Sequence, residues 1–250
     1  MIFMFQQIGL FFMKYNQPCF LDTLVKFCHY SIYRYPDVLN YLHSRYITDE
    51  DIKKYELGYN KIISLSNDGS SDWGRFVDEC KKGAKFENKI IFPLKNERGK
   101  VIGISGRDIE SKEFKNFVLD EGKYTGFFFG LYDALPFIYE RNCAFVVEGA
   151  IDSISLSKVI SNSVALLTAG LNDAQYKLLK FYCDYIVVIF DSDNTGKYAE
   201  KRALERDNVF SLSLGYKDPA RCLECLGPNK FSQFIMKKLK EIPGDFLWSI

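Results

Sequence analysis

Residues 144–152 read AFVVEGAID and residues 186–196 read IVVIFDSDNTG, and the fold turns on these two stretches. Each is a short, apolar, β-branched run that stops on a carboxylate and a glycine turn. That is the pattern of a strand buried on both faces and followed at once by a helix. VALL at 164–167 and VFSLSL at 209–214 are runs of the same kind, and 151–160, 172–182 and 196–206 between them are each long enough for a crossover helix. Right-handed crossovers then predict an open α/β fold, a sheet of about four parallel strands with flanking helices.

Upstream the period changes. KIIFPLK (89–95) and KVIGIS (100–105) read as two strands joined by Asn96, Glu97, Arg98 and Gly99, a hairpin connection with glycine in it. Pro93, which has no N–H to give a ladder, predicts an edge position for the first strand. Nine basic residues lie between Lys85 and Lys123, interleaved with Phe114, Phe117 and Tyr124. On composition alone this is a solvated charged face. From Asp22 to Gly58 the apolar spacing is helical, with Pro36 in a first turn, Thr48 as an N-cap before Asp49, Glu50 and Asp51, and Gly58 closing the helix. SLSNDGSSDWG at 64–74 reads as a loop. MIFMFQQIGLFFM at 1–13 lacks a basic flank and a cleavage site and is too short to span a bilayer, so it reads as a buried or frayed leader, with Met13 as an alternative start.

Of the 250 residues 47% are hydrophobic, enough for a packed core, and 33 Lys+Arg against 32 Asp+Glu leave a net charge of +1. This excludes a disordered segment and a polycation held to nucleic acid by bulk charge. Any anion site is therefore local. Seven scattered cysteines form no disulfide framework, which predicts a reducing, cytoplasmic setting.

An open parallel sheet places its crevice just past the carboxyl ends of its strands. Glu148 falls there, as do Asp191 and Asp193. On an extended segment the two aspartates project to one side about 7 Å apart, and a neighbouring strand brings Glu148 within about 4.8 Å of their chain. Gly149 and Gly196 keep the turns slim. Gathered carboxylates raise one another's pKa and call for a counter-ion. Mg²⁺, which takes one or two carboxylates plus water and substrate phosphates, suits such an open site and serves phosphoryl transfer. Taken singly, Asp152 and Asp193 would serve as helix caps and Glu148 as a dipole partner. Jointly, E-G-x-x-D and D-x-D-x-x-G after two strands point to a metal. An EF-hand is excluded by Thr195 and Arg202 at ligand positions. Cys222 and Cys225 form a lone CxxC with only His29 and His43 in the chain, so no structural zinc is expected.

The set Glu148-Gly149, Asp152 and Asp191-x-Asp193-x-x-Gly196 resembles a Toprim domain, the metal-binding module of bacterial-type primases, topoisomerases and certain nucleases. KIIFPLKNERGKVIGISGR is similar to the segment that precedes Toprim in DnaG-like primases. YLHSRYITDEDIKKYELGY resembles their helical lead-in, and Lys217-Asp218-Pro219 their K-D-P. The resemblance, from about residue 38 to about 226, implies a Rossmann-like Toprim domain (141–220) preceded by a smaller α+β subdomain with a basic hairpin (1–140) and followed by a short helical tail (221–250).

For function the resemblance implies a primase core, a DNA-directed RNA polymerase that makes short RNA primers on single-stranded DNA from nucleoside triphosphates with Mg²⁺ or Mn²⁺. Glu148, Asp191 and Asp193 would be catalytic and hold the metals, with Asp152 and Asp218 as further or supporting ligands. Lys89, Arg107, Lys115, Lys123 and Lys217 would bind nucleotide and template. The chain departs from the family pattern in lacking the zinc-binding module before the core, in having only some thirty residues after Toprim, and in reading Ala220 and Arg221 where a second acid is common. A replicative helicase or a separate zinc-binding protein is the expected partner, no membrane is involved, and a phage or other mobile element is the expected carrier. A Toprim nuclease and a non-catalytic replication adaptor are the alternatives; no tyrosine can be assigned to strand passage.

Overall fold

A computed structural model describes residues 20–61, 86–111, 114–118 and 126–242. The leader at 1–13, the loop at 64–74, and Lys85, Lys112, Lys123 and Tyr124 lie outside the described residues.

Three helices come first: α1 (Phe20–Ile32), α2 (Pro36–Ser44) and α3 (Asp49–Lys54). Pro36 stands in the first turn of α2, where its missing N–H costs nothing. Thr48 caps α3 through a reciprocal box, donating its N–H to Asp51 at 2.8 Å while its hydroxyl accepts the Asp51 N–H. Gly58 does not close α3, contrary to expectation. Tyr55 and Glu56, the latter at φ 50°, make that turn, and Gly58 opens strand β1 (Gly58–Asn60). Its small size matters for a different reason, since a Cβ there would come within 2.6 Å of Cys28 on α1.

β1 belongs to an antiparallel sheet of order β1-β2-β3-β4, with β2 (Lys89–Lys95), β3 (Val101–Asp108) and β4 (Phe114–Val118). The β2–β3 hairpin forms as expected: Asn96 Oδ1 accepts the Arg98 and Lys100 N–H groups, and Gly99 takes φ 77°. The edge position inferred from Pro93 is corrected, because β2 runs between β1 and β3. β1 reaches only to Ile91, so the β1 side of Pro93 is left without a partner strand and its missing N–H breaks no ladder bond.

Side-chain alternation splits this sheet. Ile90, Phe92, Leu94 and Val118 join a core shared with the second half of the molecule, whereas Ile91 and Ile104 pack with Leu21, Leu24, Val25 and Cys28 of α1. Phe92 meets Phe129 edge-on at 5.7 Å between ring centroids, and Lys158 Nζ lies 2.6 Å from Asp51 Oδ2. These contacts join the two sheets.

The second half alternates α4 (Leu131–Arg141), β5 (Cys143–Val147), α5 (Ala150–Ser157), β6 (Ser163–Ala165), α6 (Asp173–Tyr182), β7 (Tyr185–Ile189), α7 (Asn194–Ala203), β8 (Val209–Ser211) and α8 (Pro219–Leu239). Its four strands are all parallel, in the order β6-β5-β7-β8. The four apolar runs each yielded one of these strands. α8 is two helical pieces broken at Gly227, φ 71°, with Pro228 next. Among the described residues no helix is long and apolar enough to cross a membrane.

Candidate active site

The chain leaves β5 for β6 on one side and later returns to β7 on the other, so a crevice opens at the carboxyl ends of β5 and β7. Val147 pairs with Ile189 in register, which sets Glu148 beside the segment carrying Asp191. Glu148 Oε1 accepts the Asp191 N–H at 2.9 Å. Gly196 permits this closure: a Cβ there would collide with the Asp191 carbonyl oxygen and come within 2.9 Å of Glu148 Oε1.

The two aspartates of D-x-D do not share an extended strand, because β7 stops at Ile189. Asp191 is half-buried beside Glu148, while Asp193 is exposed and caps α7, its Oδ1 accepting the Gly196 N–H at 2.9 Å. Asp152 does not cap its own helix α5. Gly149 holds that position, and Asp152 Oδ1 instead accepts the Ala220 N–H at 3.1 Å at the start of α8. Asp218 caps α8 through the Arg221 N–H at 2.6 Å. Three of the acids thus use one oxygen at a helix start and a fourth uses one on the Asp191 N–H, and the Asp152 and Asp218 carboxyls also meet each other.

Their environment is strained electrostatically. Burial, then the charges of Glu148 and Asp218, lift the Asp191 carboxyl to about 7 against the opposing pull of Lys217. Burial also raises Glu148, and the Asp193 charge adds to it. Asp152 lies well above the ordinary range through burial and the neighbouring Asp218 carboxylate. Lys217 Nζ sits 4.0 Å from both Asp191 Oδ2 and Asp218 Oδ2, one exposed cation against several acids. Excess negative charge at an open, partly dry site fits a divalent cation that keeps water and substrate oxygens as ligands. A closed cage is a different matter. Among the described residues no three or more His, Cys, Asp or Glu side chains are already gathered as a metal site, the CxxC included.

The basic residues divide between the two faces of the antiparallel sheet. Lys89, 8% exposed, pairs with Asp108 directly across β3 at 3.1 Å, on the face toward α1. The Ser111 N–H, and after it that contact, hold the Asp108 carboxyl down at about 2. Lys115, exposed and opposite Gly106, alternates onto the same face. Arg107 lies on the other face, its guanidinium 4.7 Å over the Phe114 ring and its Nε buried without a hydrogen-bond partner. Lys217 is at the acids, and Lys123 lies outside the described residues.

One residue that sequence reasoning missed links the halves. Asn116, on the Arg107 face of β4, donates its side-chain N–H to the Leu167 carbonyl at 2.8 Å. The Leu167 N–H in turn donates to the Glu148 carbonyl at 3.0 Å, and Leu167 holds φ 57°, uncommon for a leucine. A chain of three hydrogen bonds therefore runs from β4 through Leu167 and Glu148 to Asp191. No pattern in the sequence marks Asn116, since the contact spans 51 positions.

Residues 145–221 match a family described as Toprim-like, and residues 28–118 match the N-terminal domain of the DNA primase catalytic core. The two matches together support a DnaG-like primase core. Within that family, the DNA primase of Neisseria meningitidis is 30% identical over 239 residues, taking in 85% of this chain and 40% of the relative. That of Aquifex aeolicus is 28% identical over 200 residues, or 74% and 40%. This DnaG-like chain thus spans about two fifths of the length of the curated relatives it matches. The solved zinc-binding and RNA polymerase domains of the Aquifex aeolicus primase superpose with a TM-score of 0.66 at 27% identity, covering 87% of this chain and 59% of that one. A DnaG primase catalytic domain solved bound to single-stranded DNA gives a TM-score of 0.71 at 22% identity, over 86% and 79%, and shows the fold alone.

Proposed function

We propose that this chain is the nucleotidyl-transfer core of a primase, extending short RNA primers on single-stranded DNA from nucleoside triphosphates. The observation that carries the reading is the Asn116–Leu167–Glu148 link, which fastens the face bearing Arg107 to the strand ends bearing the carboxylates. A bare hydrolase of this fold needs no such module. Bound Mg²⁺ or Mn²⁺ would acidify the attacking 3′-hydroxyl and neutralise the triphosphate. Glu148, Asp191 and Asp193 would hold the cations through their remaining oxygens, with Asp152 and Asp218 bracing the site from α5 and α8. Lys217, 64% exposed between Asp191 and Asp218, would move onto substrate phosphate once the cations take its place. Arg107 would contact triphosphate or template, with Lys89, Lys115 and Lys123 contributing longer-range positive charge.

The division into an α+β subdomain (1–140), a Toprim domain (141–220) and a tail (221–250) belongs to this reading. So do a cytoplasmic location and a helicase or zinc-binding partner. The test is incubation with defined single-stranded templates and labelled nucleoside triphosphates, with Mg²⁺ or Mn²⁺, alone and with candidate helicases. Short RNA products that vanish in Asp191→Ala and Glu148→Gln, with circular dichroism unchanged, are expected. Full activity in those variants would sink the mechanism. Template cleavage without nucleotides would assign a nuclease, and a protein without divalent-ion binding an adaptor.

A further inference from the structure

α7 leaves the crevice at its cap Asp193 and runs outward for 10 residues, about 15 Å at 1.5 Å per residue. Gly196, Ala199 and Ala203 form its buried face, and Ala199 lies so near the turn after β6 that a Cβ on Gly170 would come within 3.1 Å of it. The opposite face carries Lys197, Tyr198, Lys201 and Arg202, all exposed, Tyr198 by 65%. Spacings of three and four set Lys201 beside Lys197 and set Tyr198 beside both Lys201 and Arg202. None of these three cations forms a salt bridge with a described residue, whereas Arg206 just beyond is held by Asp173 at 2.7 Å.

Helix stability accounts for only part of this pattern. Lys201 and Arg202 occupy the last turn, where the helix dipole favours cations. Lys197 stands near the opposite end, one turn past the Asp193 cap, where the dipole disfavours a cation. Grouped on one exposed face beside the crevice, the three charges match the spacing of a polyanion's backbone. The exposed phenol ring adds what a single strand needs, a flat surface for an unstacked base.

We propose that this face of α7 docks a polynucleotide strand as it leaves the carboxylate crevice, its phosphates on Lys197, Lys201 and Arg202 and a base on Tyr198. The inference rests on reading the crevice as a nucleotidyl-transfer site. The occupant is the single-stranded template, because the exposed Tyr198 ring serves an unstacked base and a hybrid duplex offers none.

The test measures binding of labelled single-stranded DNA and of an RNA–DNA hybrid over a series of salt concentrations. The proteins compared are the wild type, the combined Lys197→Gln, Lys201→Gln, Arg202→Gln variant, and Tyr198→Ala. At about 0.7 per phosphate contact on a single strand, the triple variant should lower the steepness of log affinity against log salt by about 2. Tyr198→Ala should weaken single-strand binding by about tenfold at unchanged steepness. An effect on single-stranded DNA that exceeds the effect on the hybrid supports the inference, and an effect confined to the hybrid overturns it. Unchanged salt dependence for both ligands, with wild-type binding normal and the variant folded by circular dichroism, overturns it and leaves the proposed function standing. A wild-type protein that binds neither ligand overturns both.

Discussion

Asp191→Asn removes one negative charge from the crevice with almost no change of shape, and its effect on stability has a definite sign. The native carboxyl is lifted from 3.8 to about 7, first by burial and then by Glu148 and Asp218. The folded protein therefore holds this proton more tightly than the unfolded chain does. Its contribution to stability is complete below about pH 4 and is lost as the pH rises through about 7. At about 1.4 kcal/mol per pKa unit the loss is roughly 4 kcal/mol for a group out of reach of water. Asp191 keeps 20% side-chain exposure with Lys217 nearby, and solvent screening brings the figure to about 2 kcal/mol. Between about pH 5 and pH 8 the metal-free wild type should thus lose about 2 kcal/mol more than Asp191→Asn, on the order of 4–8 °C in Tm for a chain of this size. Thermal and urea unfolding in the presence of a chelator measure this. Adding Mg²⁺ at the upper pH should restore the wild type and leave the variant nearly unmoved. If the two proteins lose stability in parallel, mutual repulsion among the carboxylates is refuted, and with it the electrostatic case for a cation.

Asn116→Ala deletes one hydrogen bond and should cost about 1 kcal/mol of stability. Nucleotide incorporation should fall by on the order of a hundredfold, because the Arg107 face would lose its register with the acids; similarly small losses in unfolding and single-turnover assays would make the residue mere packing. Gly196→Ala drives a methyl group into the Asp191 carbonyl. It should cost about 1–3 kcal/mol in urea unfolding and abolish the Mg²⁺-induced rise in Tm, whereas a variant that still responds to Mg²⁺ would show that the α7 start has room to move. Thr48→Ala breaks the α3 capping box far from the crevice and should lower stability by about 1 kcal/mol with primer synthesis unchanged in rate.

Much of the site was legible because its determinants are local in the chain. A carboxylate directly after an apolar strand must emerge at the strand's carboxyl end, so Glu148 and Asp191 were fixed in place once β5 and β7 were recognised as parallel neighbours. Gly196 was legible as a slim turn for the same reason. Asp152 was not, because its partner is the Ala220 N–H across the crevice, and a helix-start aspartate looks the same in sequence whether it caps its own helix or another. Pro93 misled for a related reason. A strand can be internal over Lys89–Ile91 and have an open side two residues later, and only the length of β1 decides which.

The sequence by itself determined the parallel sheet, the hairpin, the cap at Thr48 and the carboxylates at strand ends. These depend on periodicity, propensity and steric limits within a few residues. Tertiary structure alone decided which side chains share the sheet face that meets Leu167: alternation from β2 to β4 put Arg107 and Asn116 on that face and turned Lys89 and Lys115 toward α1. A one-residue change of register would have reversed that assignment, and register is set by which surfaces bury together, a property of the whole packed chain.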